Sequence, residues 1–253
     1  MMINDETIKR LRDQTEVLTF DLYGTVVDMQ GGLVEMVTPF LKAKGWKGSP
    51  NSLVTWWRRT HFENSMIDAL VDRGHTPYRE IGHGAVDYTL TRAGIAHTMD
   101  EVRHLVAQIE KLRPFDDVVA ALTRLQKRYK LAVLSNGDPD MLKNAAPHIG
   151  FKFDEVISIA AAGYFKPHFA TYRTAANILK VDIGKCMHVA NHAFDCIGAK
   201  AAGMKACFID RRRRPYGMTP HQPDVTVADF KELAELLAQV ALTKSFWAGA
   251  QLS

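Results

Sequence analysis

Five short apolar runs recur along the chain, and segments with the apolar spacing of helices separate them. Runs of this length without a polar alternation are typical of strands buried on both faces of a parallel sheet. Strands that alternate with helices predict an α/β fold with a doubly wound parallel sheet. The predicted strands are residues 17–20, 131–134, 156–159, 187–190 and 206–209.

The interval between the first two predicted strands breaks this alternation, because it is rich in helix formers and poor in strand formers. We therefore predict a helical cap domain, residues 31–112, inserted into an α/β core domain of residues 1–30 and 113–253. The insertion would lie above the carboxyl edge of the sheet. The segment after Lys244 is predicted to be poorly ordered. The predicted cap helices are residues 33–44, 52–72, 78–92 and 99–111.

Composition describes an ordinary globular protein of 253 residues, with 47% apolar and 24% charged residues. The net charge of +4 is too small to indicate nucleic acid and favours a small anionic substrate. Three cysteines without CxxC spacing predict reduced core thiols. Residues 1–15 lack a secretory pattern, and no apolar run is long enough to cross a bilayer. We expect a cytoplasmic protein with no membrane partner.

A basic run, Arg211 to Arg214, is the strongest charge cluster in the sequence. It lacks the interleaved aromatic residues that bind single-stranded nucleic acid. A solvated loop or a subunit contact is the favoured interpretation, and no nucleic-acid partner is expected.

A carboxylate follows the first predicted strand directly. Asp21 comes after that strand, and Gly24 and Thr25 complete the motif. A carboxylate at the end of a buried parallel strand faces the ligand crevice and is placed to act as a nucleophile. Asp21 and Gly24 alone are equally consistent with a helix cap or a turn.

Polar residues also follow the other predicted strands. The second strand ends in Ser135 and Asn136, and Lys166 precedes Pro167, which suits a first helical position. The fourth strand is followed by His192 and Asp195. Asp195 is either a helix N-cap or the partner of Lys166, and each of the other residues has an ordinary structural alternative.

Together these motifs resemble the haloacid dehalogenase superfamily, and most closely its L-2-haloacid dehalogenase branch. The resemblance rests on DLYGT at 21–25, SNG at 135–137, Lys166-Pro167 followed by Tyr172, and Trp57-Arg58 in the predicted cap. It implies a HAD-like, Rossmann-type hydrolase that needs no cofactor. Relatives of this kind are commonly homodimers, so a homodimer is expected.

The resemblance also assigns chemistry to individual residues. Asp21 would attack C2 of a small 2-haloacid and form an aspartyl ester, while Arg58 would receive the halide. Thr25 and Lys166 would orient Asp21, and Asp195 would help to position the hydrolytic water. A second group would bind the substrate or shape its pocket. That group is Leu22, Tyr23, Ser135, Asn136, Tyr172, Asn191, Phe194 and Phe62, with Tyr78 as a further wall residue.

Two departures from the superfamily pattern bear on substrate and metal. Tyr23 replaces the second acid used by phosphatases, and Ala190 and Asn191 stand where their other metal ligands would be, so no metal is expected. His192 replaces an amide of the dehalogenase branch and is a candidate base for ester hydrolysis. It is equally consistent with a relative that opens a strained cyclic 2-amino acid. A phosphatase and a non-catalytic protein are weaker alternatives.

Overall fold

A computed structural model describes residues 5–72 and 74–238 of the chain. Six strands form one sheet in the order β3-β2-β1-β4-β5-β6, and every pairing is parallel. The predicted doubly wound α/β fold is confirmed; the predicted disorder after Lys244 lies outside the described residues. The strands are β1 (Val17–Phe20), β2 (Lys130–Ser135), β3 (Glu155–Ser158), β4 (Cys186–Ala190), β5 (Lys205–Ile209) and β6 (Val225–Val227).

Helices follow most of the strands, and five of them lie between β1 and β2; the first four correspond to the four helices predicted for residues 33–111. The last of these four is shorter than expected because it passes into a 3-10 turn at Gln108–Lys111. None of the helices in the described ranges is long and apolar enough to span a membrane. The helices are α1 (Asp5–Asp13), α2 (Met29–Ala43), α3 (Pro50–Val71), α4 (Tyr78–Arg92), α5 (Met99–Ala107), α6 (Val118–Leu125), α7 (Pro139–Ile149), α8 (Phe169–Leu179), α9 (Ala193–Ala202) and α10 (Phe230–Leu237).

Local sequence explains where the helices between β1 and β2 begin. Ser49 caps α3 by accepting from the amide of Ser52 at 3.3 Å, and Pro50 occupies the first helical turn. Thr98 and Glu101 form a reciprocal capping box at the start of α5. These caps satisfy amide groups that have no partner within the helix.

The centre of the sheet is the point at which the chain changes direction. β1 pairs with β2 on one side and with β4 on the other, so the crevice between their carboxyl ends is the position where doubly wound proteins bind ligands. All residues of β1 and β4 are buried. The amide of Asp21, immediately after β1, donates to the carbonyl of Val189 at 3.0 Å. This bond fixes Asp21 at the carboxyl edge.

Two further details differ from the sequence predictions. Pro167 is not the first residue of a helix: α8 begins at Phe169, and His168 caps it by accepting from the amide of Ala170 at 3.3 Å. β6 was not predicted, because three residues carry too little pattern. The three cysteines, Cys186, Cys196 and Cys207, are free and buried, as expected of core thiols.

Candidate active site

Asp21 lies at the floor of a cavity of about 520 Å³ at the carboxyl edge of the sheet. It is 8% exposed, and both of its carboxylate oxygens are held. The hydroxyl of Thr25 donates to Oδ2 at 2.7 Å, and the ammonium of Lys166 donates to Oδ1 at 3.2 Å. A carboxylate with fixed oxygens and one open side is suited to nucleophilic attack.

Lys166 also connects Asp21 to a second buried carboxylate, Asp195. Its Nζ donates to Asp195 Oδ2 at 2.8 Å. Asp195 is the third residue of α9, so it is the partner of Lys166 and not the N-cap of that helix. Tyr172 donates to Asp195 Oδ1 at 2.6 Å, and His188 Nε2 lies 3.0 Å from Oδ2. The side chains of Lys166, Asp195, Tyr172 and His188 therefore come together at a point that solvent does not reach.

Electrostatics keep this network ionised. Burial opposes the charged form of Lys166, but the carboxylates of Asp195 and Asp21 outweigh it and raise the pKa of Lys166. Burial likewise opposes ionisation of Asp21, yet Lys166 and then His192 lower its pKa. The pKa of Asp195 is lowered against the effect of burial by His188 and Lys166. At neutral pH two carboxylates therefore surround one ammonium, with Asp21 at the floor of the cavity and Lys166 and Asp195 beneath it.

A histidine and an arginine approach Asp21 from the cavity side. His192 Nδ1 lies 3.4 Å from Asp21 Oδ2, and the imidazole is 20% exposed. Arg58 donates from Nη1 to the amide oxygen of Gln30 at 2.8 Å, and its Nε is buried without a hydrogen-bond partner among the described residues. Burial, and then the charge of Arg212, lowers the pKa of Arg58 to about 10, which leaves it cationic at neutral pH.

Gly24 allows these two side chains to come together. Its φ of +90° lies in the region that favours glycine, and a Cβ there would lie 3.0 Å from His192 Cε1 and 3.2 Å from Arg58 Nη2. The glycine of the DLYGT motif therefore has a steric reason as well as a conformational one.

Aromatic rings form the cavity wall. The rings of Tyr23 and Tyr78 stack with centroids 5.8 Å apart, and those of Phe62 and Phe194 approach to 4.2 Å. The Tyr23 hydroxyl is buried and has no hydrogen-bond partner among the described residues. Burial raises the pKa of Tyr23 well above its usual value, so the hydroxyl stays protonated and available as a donor.

The structure places some of the predicted substrate-binding residues behind the wall. Ser135 is fully buried, and its hydroxyl accepts from the amide of Gly137 at 3.2 Å. Asn191 donates from its side chain to the carbonyl of Gly24 at 2.9 Å, which ties the loop after β4 to the first motif. Leu22 is buried, and Tyr172 is bonded to Asp195. None of the four is among the described residues that line the cavity.

Other predicted residues do line it, although the buried Thr25, Lys166 and Asp195 do not. The residues that contribute to the wall together with Asp21 are Tyr23, Arg58, Phe62, Asn136, His192 and Phe194. The side chain of Asn136 also accepts from the amide of Lys166 at 3.1 Å, and this bond holds the loop that carries the lysine.

Sequence reasoning missed His188 and several side chains at the cavity mouth. His188 lies opposite Thr19 in the β1–β4 register, and the two side chains are 2.9 Å apart at Nδ1 and Oγ1. A histidine in an otherwise apolar strand was a usable signal. Gln30 and Arg59 carried no such signal, because only the fold brings them to the cavity. Arg212 and Arg214 belong to the basic run after the fifth strand, which the sequence analysis interpreted as a solvated loop or a subunit contact.

The donor set does not fit a metal ion. Within the described ranges, no group of three or more His, Cys, Asp and Glu side chains is arranged to hold one. Lys166 Nζ lies 3.2 Å from Asp21 and 2.8 Å from Asp195, so an ammonium already lies between the two acids that a cation would need.

Comparison with known proteins points to the same chemistry. Residues 15–203 match the family model for haloacid dehalogenase-like hydrolases. An (S)-2-haloacid dehalogenase of Pseudomonas sp. (strain YL) is 26% identical over 90% of this chain and 97% of its own. An (S)-2-haloacid dehalogenase of Xanthobacter autotrophicus is 30% identical over 78% of this chain and 75% of its own.

A solved structure agrees in fold. The L-2-haloacid dehalogenase of Xanthobacter autotrophicus, with chloropropionic acid covalently bound, superposes with a TM-score of 0.78 at 25% identity, covering 90% of this chain and 100% of that chain. The family model spans most of the sequence, and the motifs that it covers converge on one cavity. The chain therefore belongs to the haloacid dehalogenase-like hydrolases.

Proposed function

We propose that the protein hydrolyses a small L-2-haloacid to the 2-hydroxy acid through a covalent ester of Asp21. The observation that carries the proposal is the ionised Asp21 carboxylate, held by Thr25 and Lys166 and open to a cavity that also presents Arg58. The names of the relatives support the substrate class. They give no support to ring opening or phosphate hydrolysis.

In the first step an oxygen of Asp21 attacks C2 of the substrate. A C–O bond forms as the C–halogen bond breaks, and the halide leaves with the bonding electrons. Arg58 and Asn136 receive the developing negative charge, because preorganised donors at the leaving group stabilise the transition state. The backbone N–H groups near Leu22 and Tyr23 bind the substrate carboxylate, and Ser135, behind the wall, holds the backbone of Gly137.

In the second step water attacks the carbonyl carbon of the ester. This attack makes a C–O bond to the water oxygen, and the bond between the carbonyl carbon and the substrate oxygen then breaks, which restores the Asp21 carboxylate. The departing alkoxide takes back the proton that His192 has removed from the water and leaves as the 2-hydroxy acid. His192, on the cavity side of Asp21, accepts the proton of the water. Asp195 and Tyr172 hold Lys166 in place, and Asn191 holds the motif backbone. Phe62 and Phe194 exclude bulk water.

We also propose that residues 31–112 form the cap over a core of residues 1–30 and 113–253, that the protein works as a homodimer, and that it is cytoplasmic. The interposition of α2 to α5 between β1 and β2 supports the first statement. Light scattering coupled to size exclusion tests the dimer, with a mass near one chain as the contradicting result.

The nucleophile is tested by a single turnover in ¹⁸O-water with enzyme in excess over (S)-2-chloropropionate. Water cleaves the ester at the Asp21 carbonyl, so ¹⁸O is expected in the Asp21 peptide and the hydroxyl of the first product stays unlabelled. Label in the product with an unlabelled peptide would refute the covalent route. Asp21→Asn, which is inactive in either scheme, controls for non-enzymatic exchange.

A further inference from the structure

The mouth of the cavity is strongly cationic. Four guanidinium groups line the cavity: Arg58 lies near Gly24 and His192, whereas the exposed Arg59, Arg212 and Arg214 lie toward solvent. Among the described lining residues the one carboxylate is Asp21, which is already paired with Lys166. A single substrate carboxylate cannot balance this charge.

The four arginines differ in how well they are compensated. Arg59 pairs with Glu63 at 2.7 Å, and Arg58 donates to the neutral amide of Gln30. In residues 5–72 and 74–238, no carboxylate oxygen lies within ion-pair distance of the Arg212 or Arg214 side chain. Arg212 and Arg214 therefore present uncompensated charge at the cavity.

The neighbouring charges also oppose one another. Burial is the largest cause that lowers the pKa of Arg58, and the charge of Arg212 is the next largest. Burial and then the charge of Arg214 lower the pKa of Arg212. Asp28 favours the charged form of both Arg58 and Arg212, but its carboxylate already caps α2 by accepting from the amide of Gly31 at 2.9 Å. An anion bound between these guanidinium groups would relieve the repulsion.

The size of the cavity allows such an anion. Its volume of about 520 Å³ lies in the range of sites for whole metabolites, and a haloacid of propionate size fills a small part of it. Arg213, between the two lining arginines, has a φ of +48° and is not among the described lining residues. It therefore provides a control within the same basic run.

We propose that the preferred substrate is a 2-haloacid with a second anionic group, most simply a second carboxylate, which Arg212 and Arg214 bind at the cavity mouth while Asp21 attacks C2. This inference rests on the proposed function for the reaction and adds the substrate class. Arg212 and Arg214 are specificity residues that do not touch the reacting atoms.

The test compares halide release from (S)-2-chlorosuccinate with release from its 4-methyl ester, which has the same carbon skeleton without the distal charge. The wild-type enzyme is expected to prefer the dicarboxylate, measured as kcat/KM. Arg212→Gln should lower that preference about tenfold, because a charge-assisted hydrogen bond is lost. Arg214→Gln gives an independent second variant, and Arg213→Gln should leave the preference unchanged.

Binding of unreactive analogues separates the two proposals. Calorimetry should show tighter binding of succinate than of butanoate to the wild type, and Arg212→Gln should reduce the difference. If no 2-haloacid is turned over but this selectivity is present, the reaction is wrong and the dicarboxylate site stands. Turnover of 2-chloropropionate without any preference for the dicarboxylates, or equal effects of Arg212→Gln and Arg213→Gln, would overturn the inference.

Discussion

Replacing Lys166 by methionine is the most informative perturbation, because it removes the cation shared by two buried carboxylates. At an effective dielectric constant of about 20, the distances of 3.2 Å to Asp21 and 2.8 Å to Asp195 correspond to about 5 and about 6 kcal/mol of attraction. Desolvation of the buried ions offsets several kcal/mol of this. Removal of one partner from such a buried pair costs about 3–5 kcal/mol. We expect Lys166→Met to lower the free energy of unfolding by that amount at pH 8.

The pH dependence of this loss follows from the pKa shifts. In the wild type Asp21 and Asp195 have lowered pKa values, so their contribution to stability is present above the unfolded value of about 3.9 and is lost at lower pH. In the variant, burial and mutual repulsion raise their pKa values in the folded state. Folding of the variant is then accompanied by uptake of a proton, which favours the folded state at low pH. This contribution to stability is lost as the pH rises. The difference between variant and wild type should therefore grow from about pH 4 to about pH 8.

Urea unfolding at pH 5 and pH 8 measures both quantities. Lys200→Met is the matched control, since Lys200 pairs with Asp224 at the same distance of 2.8 Å but the two side chains are 27% and 24% exposed. That variant should lose at most about 1 kcal/mol at either pH. A loss for Lys166→Met no larger than that of Lys200→Met, or equal losses at the two pH values, would refute the account of the buried network.

Four further predictions concern single groups. Arg58→Lys should lower kcat about 10²-fold, more than it raises KM, in steady-state halide release, because a single ammonium replaces the guanidinium at the leaving group; an unchanged kcat would remove Arg58 from that site. His192→Asn should lower kcat about 10²-fold, whereas an unchanged kcat would exclude it as the base. Dialysis against EDTA should leave turnover unchanged, and activity restored by Mg²⁺ would contradict the donor-set argument. Burial lowers the pKa of His61 to about 4, so stability present above about pH 6.5 should decline by about 3 kcal/mol towards pH 4, and His61→Gln should flatten that slope in urea unfolding.

The sheet was predictable because its signal is local. Each of β1, β2, β4 and β5 is a mainly apolar run, and burial on both faces is the reason for that pattern. Between β1 and β2, the helices α2, α3 and α5 each begin at a side-chain cap, Asp28, Ser49 and Thr98, which local sequence records. β6 has three residues and derives its stability from pairing with β5, which no local pattern records.

The site was predictable as a set of strand ends but not as a set of contacts. Asp21, Lys166 and Asp195 converge because parallel strands deliver their carboxyl ends to one edge. Which side chain faces the cavity depends on rotations of single loop residues. Ser135 and Asn191 turn inward to satisfy buried backbone groups, whereas Arg212 and Arg214 reach the mouth from a loop far along the chain. Hydrogen bonds of this kind are settled by tertiary packing.

The two histidines near the carboxylates differ in burial, and this difference decides which of them can act as a base. Each carboxylate that shares Lys166 has an imidazole of its own, His192 at 3.4 Å from Asp21 and His188 at 3.0 Å from Asp195. His188 is fully buried between Thr19 and Asp195 and cannot exchange a proton with a water in the cavity. His192 lines the cavity and can. If an imidazole is the base of ester hydrolysis, it must therefore be His192, while His188 acts only by positioning Asp195 and, through it, Lys166.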